Sequence, residues 1–129
     1  LSNIKDTYCI IIGIESLKTR LSSDNKTKLQ EMFTLYKDLE TTCFIIVDSV
    51  DKIKKNEFEN WYKNSVDSNN GIWLGNGMGT QYTIKSSTPA RLLSAKLEKN
   101  FGYFVDGNTT VLVKVISETG EAEDNYETL

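Results

Sequence analysis

The order of apolar and polar residues in the first part of the chain predicts a strand, a helix and a second strand. Residues 8–14 form a continuous apolar run rich in β-branched residues, which is typical of a parallel strand covered on both faces, and residues 42–47 repeat the pattern. Between them, apolar residues recur every three or four positions, as on one face of a helix that residues 22–24 would cap. That face comprises Leu29, Met32, Phe33, Tyr36 and Leu39. We therefore expect a right-handed β-α-β unit.

Shorter apolar segments follow in the second part of the chain. Phe58, Trp61, Tyr62 and Val66 indicate a second amphipathic helix. Residues 72–74 and 82–84 are short strand candidates, and Thr88-Pro89 predicts the start of a helix that carries Leu93 and Leu97. Residues 101–105 and 110–116 flank Asp106-Gly107-Asn108, which predicts a β-hairpin.

These elements predict an α/β fold with a mixed, mainly parallel sheet, flanking helices and a C-terminal antiparallel hairpin. Residues 1–116 are expected to form a single domain or the C-terminal part of one. Residues 117–129 are acidic and poor in apolar residues, so we expect a disordered tail. The chain begins with Leu1 rather than methionine, and we expect it to be a segment of a longer polypeptide.

Composition narrows the chemistry that the chain can perform. The 129 residues include 15 basic and 18 acidic side chains and no histidine. The resulting net charge of −3 argues against general nucleic-acid binding, and the lack of histidine excludes imidazole-based triads and metal sites within this chain. Cys9 and Cys43 lie in apolar runs and are predicted to be buried, and two thiolates are too few for a structural zinc site. No apolar stretch is as long as a membrane span.

The glycine-rich segment Gly75-Asn-Gly-Met-Gly79 is the most distinctive motif. Its spacing differs from the dinucleotide-binding pattern, and the tripeptides that end a phosphate-binding loop are absent from the sequence. We therefore predict a tight turn that requires positive φ angles. Trp73 precedes the first two glycines of this segment, and Met78 follows them. Each of the two side chains fits either a pocket for an apolar peptide or the protein core.

Acidic residues at the predicted strand ends have two interpretations. Glu15 follows the first strand without a neighbouring carboxylate, which favours a solvated surface residue over a magnesium ligand. Residues 48–51 follow the second strand and favour a helix cap over catalysis.

Three segments together resemble the C-terminal half of the last ATPase-like domain in the FtsK/SpoIIIE-type proteins of type VII secretion. Residues 71–81, Gly-Ile-Trp-Leu-Gly-Asn-Gly-Met-Gly-Thr-Gln, are similar to the segment of that domain in which a tryptophan, a glycine-asparagine-glycine sequence and a glutamine follow one another. Residues 101–107 and 111–115 are similar to its closing hairpin. The resemblance covers about Tyr8 to Ile116 and implies a RecA-like, P-loop-NTPase-like half-domain. Such a half-domain would expose an edge strand and one uncovered sheet face.

The resemblance also implies a cellular role. It implies a cytoplasmic domain of a membrane-anchored motor that exports WXG-type or other hairpin-bearing proteins, with further ATPase domains in the same polypeptide and a homo-oligomer as expected partners. The last domain of the family is often degenerate, and Gly13-Ile14 stands where a motor strand would carry its acidic pair. Gly13 and Glu15 would then be the vestige of the nucleotide site. We expect no catalytic residue, metal or cofactor in this segment, although the full-length protein could bind ATP and Mg²⁺.

Two functions are therefore expected, in order of preference. The first is a non-hydrolysing module that binds export substrates or neighbouring motor domains, with apolar contacts from Trp73, Leu74 and Met78 and orienting amides from Asn76 and Gln81. The alternative is an active ATP-hydrolysing domain with Glu15 as its surviving carboxylate. DNA translocation, a third possibility, is disfavoured by the acidic balance.

Overall fold

A parallel pair of strands with helices on one side forms the first part of the structure, a computed structural model that describes residues 7–116. The elements are β1 (Thr7–Ile12), α1 (Ile14–Arg20), α2 (Ser23–Tyr36), β2 (Thr42–Val47), α3 (Val50–Lys54) and α4 (Asn60–Ser65). β1 pairs with β2 in parallel, from Thr7 opposite Thr42 to Ile12 opposite Val47. The predicted parallel pair and the long helix between its strands are confirmed, and Ser22 is the N-cap of α2.

The core of this first unit lies between α1, α2, α4 and one face of the sheet. Its buried residues are Ile14, Phe33, Trp61 and Tyr62. Phe33 stacks on Trp61 with ring centroids 4.8 Å apart. Phe44 and Ile46 of β2 pack against this cluster from the sheet. The aromatic residues of α2 and α4 therefore hold the helices on the sheet by apolar burial.

The other face of the β1–β2 sheet is exposed, so the prediction of strands covered on both faces is wrong. Tyr8, Ile10 and Ile12 of β1 lie on this face, opposite Cys43, Ile45 and Val47 of β2. All six are exposed, and Cys9 is partly exposed on the other face. The prediction that both cysteines are buried is also wrong. The described helices of this unit pack on one face of the sheet, and period-two strand geometry turns alternate residues away from them.

The second unit is built on an antiparallel sheet. Its strands are β3 (Asn70–Leu74), β4 (Phe101–Asp106) and β5 (Thr109–Lys114), in the order β3-β4-β5. Met78, Leu93, Tyr103 and Val105 form its buried core, and Trp73, Ile84 and Leu97 pack around it. The predicted hairpin is confirmed, with Gly107 at φ 56° in the turn between β4 and β5.

Two predicted elements of the second unit are wrong. Residues 82–84 form no strand, because the side-chain amide of Gln81 bonds the backbone N–H and C=O of Ile84. The helix predicted after Thr88-Pro89 is a single 3-10 turn, Ala90–Leu92. The carbonyl of Leu93 accepts a hydrogen bond from the N–H of Gly79, 3.2 Å away, so a tertiary partner takes the place of the next helical turn.

The predicted mixed α/β class is thus confirmed, with a two-stranded parallel sheet and a three-stranded antiparallel sheet in place of one mainly parallel sheet. The described chain divides into two compact units, the first ending at Ser68 and the second beginning at Asn69. The assignment of residues 1–116 to one domain stays a prediction, and the predicted tail at 117–129 lies outside the described residues. Within residues 7–116, none of the helices has the length and apolar character needed to span a membrane.

Candidate functional site

The glycine-rich segment forms the turn that follows β3. Gly75 has φ 81° and Gly77 has φ 94°, so the predicted positive φ angles are confirmed at these two positions. Gly79 lies in a 3-10 turn, Met78–Thr80, and has no positive φ. Glycine is required at this position for a different reason. A Cβ at this position would stand 2.5 Å from the carbonyl oxygen of Ala90, so the close approach of that backbone requires glycine.

Trp73 and Asn76 hold this turn against the rest of the second unit. The indole Nε1 of Trp73 donates a hydrogen bond to the carbonyl oxygen of Asn76, 3.0 Å away. The side-chain Oδ1 of Asn76 accepts one from the backbone N–H of Leu97, 2.7 Å away. Asn76 thereby joins two segments that are 21 positions apart in the chain.

Met78 and Gln81 are engaged within the unit. The Met78 side chain is 2% exposed and belongs to the core, one of the two interpretations its position allowed. The Gln81 amide accepts from the N–H of Ile84 at 2.8 Å and donates to its carbonyl at 2.7 Å. It also lies 3.1 Å from the Met78 sulfur. Met78 and Gln81 therefore stabilise the loop by contacts within the second unit.

An open cleft of about 500 Å³ lies beside the turn, at the end of β3. Its apolar lining residues are Leu74, Leu97, Phe101 and Val115, and the others are Gly75, Asn76, Glu98, Lys99 and Asn100. Leu74 and Asn76 are thus the two predicted site residues that line it. The volume and the mixture of apolar walls with a few polar groups suit one or two side chains of a bound peptide.

Residues 97–101 also line the cleft, and the sequence did not predict them as site residues. Asn100 has φ 68° and is the one non-glycine residue with a positive φ among those that the structure describes. Its carbonyl accepts a hydrogen bond from the N–H of Val115, 2.7 Å away. Because asparagine tolerates the left-handed region better than most residues, the Lys99-Asn100 pair before β4 was the available signal for a sharp turn.

Gly13 and Glu15 belong to the first unit, where β1 turns into α1. Gly13 has φ 76°, and its N–H donates to the carbonyl of Val47 at 2.8 Å. The strand therefore ends at Ile12, and a helix begins at Ile14, which is buried. The Glu15 N–H lies 3.4 Å from Oδ2 of Asp48, so the carboxylate that follows β2 helps to satisfy the first turn of α1.

The Glu15 carboxylate belongs to a partly buried polar network. Its Oε2 accepts a hydrogen bond from Asn56 Nδ2 at 3.0 Å and lies 3.8 Å from Lys18 Nζ. Lys18 also donates to Asn56 Oδ1 at 2.7 Å and forms an ion pair with Glu59. Glu59 Oε2 in turn accepts from the Trp61 indole at 2.6 Å. These contacts link α1 to α4, and no group of three or more candidate metal ligands is found among residues 7–116.

The candidate site is therefore the cleft beside Leu74, Gly75 and Asn76, where apolar surface and hydrogen-bonding groups meet at a well-braced turn. Comparison of the chain with protein-family models, with curated proteins and with solved structures returned no match.

Proposed function

We propose that this chain is a non-hydrolysing recognition module of a type VII secretion motor, and that it binds an apolar segment of an export substrate in the cleft beside β3. The observation that carries the proposal is the cleft itself, which Leu74 and Asn76 line together with residues 97–101. The likeness of residues 71–81 to the FtsK/SpoIIIE-type proteins supports the kind of system.

The lining of the cleft supports a peptide ligand. Leu74 is 60% exposed, and the Leu97 and Phe101 side chains add apolar surface that a leucine or aromatic side chain could cover. Glu98 and Lys99 carry opposite charges, so the rim imposes no strong charge preference. Backbone and side-chain bonds brace the turn, which lowers the entropy lost on binding.

For the fold, we propose more specifically that the chain is a RecA-like half-domain. The parallel β1–β2 pair supports it, since its strands are joined through α1 and α2 as in the repeating unit of parallel sheets. On this view, the chain is a cytoplasmic domain of a membrane-anchored protein, with WXG-type or hairpin-bearing substrates and other ATPase domains as partners. Gly13 and Glu15 would be the remnant of a nucleotide site, with Glu15 now tied to Asn56.

Binding of a purified WXG-type helical-hairpin protein, followed by fluorescence anisotropy, tests the proposal. We expect Leu74→Ser to weaken binding by about tenfold or more, because the loss of a side chain that anchors a ligand in a cleft costs about 1.4 kcal/mol or more. Ile72→Ser is the matched control, since Ile72 lies two residues earlier on β3, is 57% exposed and does not line the cleft. Equal effects of the two substitutions, or no binding by the unaltered chain, would contradict the proposal.

Thermal unfolding with ATP and Mg²⁺ distinguishes the hydrolytic alternative. A ligand that binds only the folded state raises the unfolding midpoint by mass action. We expect no shift with nucleotide. A Mg²⁺-dependent rise that Glu15→Gln abolishes would favour the ATP-hydrolysing domain instead.

A further inference from the structure

The uncovered face of the β1–β2 sheet is a continuous apolar surface. It consists of Tyr8, Ile10, Ile12, Cys43, Ile45 and Val47, which we call the open face. Strand register places Tyr8 beside Cys43, Ile10 beside Ile45 and Ile12 beside Val47, so the six side chains form three adjacent pairs. None of them carries a charge at neutral pH.

The open face is large for a surface left in water. Its five largest side chains are between 42% and 79% exposed. With roughly 200 Å² for each large side chain, they present on the order of 500 Å² of mostly apolar surface, which is near the upper end of patches on monomers. Two such faces in contact would bury about 1,000 Å², the lower bound for a specific interface.

Charge favours a second copy of the chain over a polar partner. A net charge of −3 makes two chains repel weakly at long range, but the open face itself brings no like charges together. The acidic segment at residues 117–129 contains five carboxylates and no basic residue, which makes it a poor cover for such an apolar surface. An uncharged and mostly aliphatic face is, by contrast, complementary to itself across a twofold axis.

We propose that the open face is a self-association surface through which two copies of this chain pack sheet against sheet. The contact is isologous, so the Ile10–Ile45 pair at its centre meets the same pair of the second copy. Sheets that stack in this way lie about 10 Å apart, close enough for these side chains to interdigitate. The surface belongs to the first unit and is independent of the peptide cleft.

Light scattering after size exclusion, over a range of protein concentrations, tests this surface. The unaltered chain is expected to approach twice its mass of 14.6 kDa as concentration rises. Ile10→Glu is expected to raise the dimer dissociation constant by at least about 100-fold, because dimerisation would bury two unpaired carboxylates. The combination of Ile10→Thr and Ile45→Thr keeps β-branched residues in both strands, and it provides the test if the glutamate variant does not fold.

Two matched controls identify the surface. Leu35→Glu changes a 72% exposed leucine on α2 of the same unit, and Ile72→Glu changes the exposed sheet face of the second unit. Both variants should dimerise as the unaltered chain does. In a Cys9→Ser background, maleimide labelling of Cys43 should slow as concentration rises, since Cys43 lies on the open face.

A monomeric mass at every concentration would overturn the proposal. So would a dimer that survives Ile10→Glu or the double threonine substitution, or one that Ile72→Glu dissociates. Labelling of Cys43 at a rate independent of dimer formation would equally overturn it.

Discussion

Asn56 is the residue on which the polar network of the first unit depends. Its side chain is fully buried, at 0% exposure, and connects three groups. Nδ2 donates to Glu15 and to the carbonyl of Lys52, at 3.0 and 2.9 Å, and Oδ1 accepts from Lys18 at 2.7 Å. A buried amide in this setting stabilises the fold because its removal would take a hydrogen bond from each of two partly buried charged partners and from a backbone carbonyl.

We expect Asn56→Ala to lower the free energy of unfolding by about 2 to 4 kcal/mol. Denaturant titration in a Trp73→Phe background measures the effect, because Trp61 is then the one tryptophan and reports on the first unit. Asn64→Ala is the matched control, since the Asn64 side chain is exposed on α4. The substitution leaves in place the backbone carbonyl of residue 64, which accepts a hydrogen bond from Lys37. Equal losses for both variants would show that the network contributes nothing specific.

Tyr62 makes the stability of the first unit depend on pH in the alkaline range. Burial raises the pKa of its phenol above the ordinary value of 10.0, and the nearby charge of Glu57 raises it further. Below pH 10 the phenol is neutral in the folded and the unfolded chain, so this group adds no pH dependence there. Above that pH the unfolded chain ionises first, and stability falls as pH rises through the folded-state pKa.

The free energy of unfolding should therefore fall more steeply above about pH 10 in the unaltered chain than in Tyr62→Phe. The difference in slope can reach about 1.4 kcal/mol per pH unit. Denaturant titrations at successive pH values measure it, and the comparison cancels the lysine titrations that both chains share. Parallel curves for the two chains would contradict a raised pKa at Tyr62.

At the scale of elements, local signals located several segments correctly. The Ser22 cap and the apolar period predicted α2, and an apolar run predicted β2 at its observed bounds. A glycine turn predicted the β4–β5 hairpin. One error occurred where a distant group replaced a local bond, since the N–H of Gly79 donates to the carbonyl of Leu93 and the predicted helix is a single turn. Another was a side-chain effect, in which the Gln81 amide bonds the backbone of Ile84. Each success depended on side-chain period, caps and glycine turns, which neither of these two bonds follows.

The glycine-rich turn yields a prediction at this scale. Gly79→Ala is expected to destabilise the second unit by about 1 to 3 kcal/mol, because the added Cβ would collide with the Ala90 carbonyl. Hydrogen exchange of β4 amides measures stability within this unit. Gly107→Asn is the control, since no atom lies within 4 Å of a Cβ there and asparagine tolerates its φ of 56°. Faster exchange in the control than in Gly79→Ala would contradict this steric account.

For the molecule as a whole, each of the two units covers one face of its sheet and leaves apolar residues on the other. In the second unit the exposed face includes Ile72, Leu74, Phe104 and Val111, which strand register places on the same side. Exposed apolar patches often mark interaction surfaces, and our two proposals place different partners on different units.

The amino-acid sequence by itself determined the mixed α/β class, the parallel pair, the long helix between its strands and the closing hairpin. These features depend on side-chain period, a helix cap and glycine turns, which act over a few residues. Tertiary structure alone decided that Met78 enters the core, that Cys43 is exposed on the open face and that a hydrogen bond joins Asn76 and Leu97 beside the cleft. Periodicity shows which side chains share a face, but only packing between distant segments determines which face is covered.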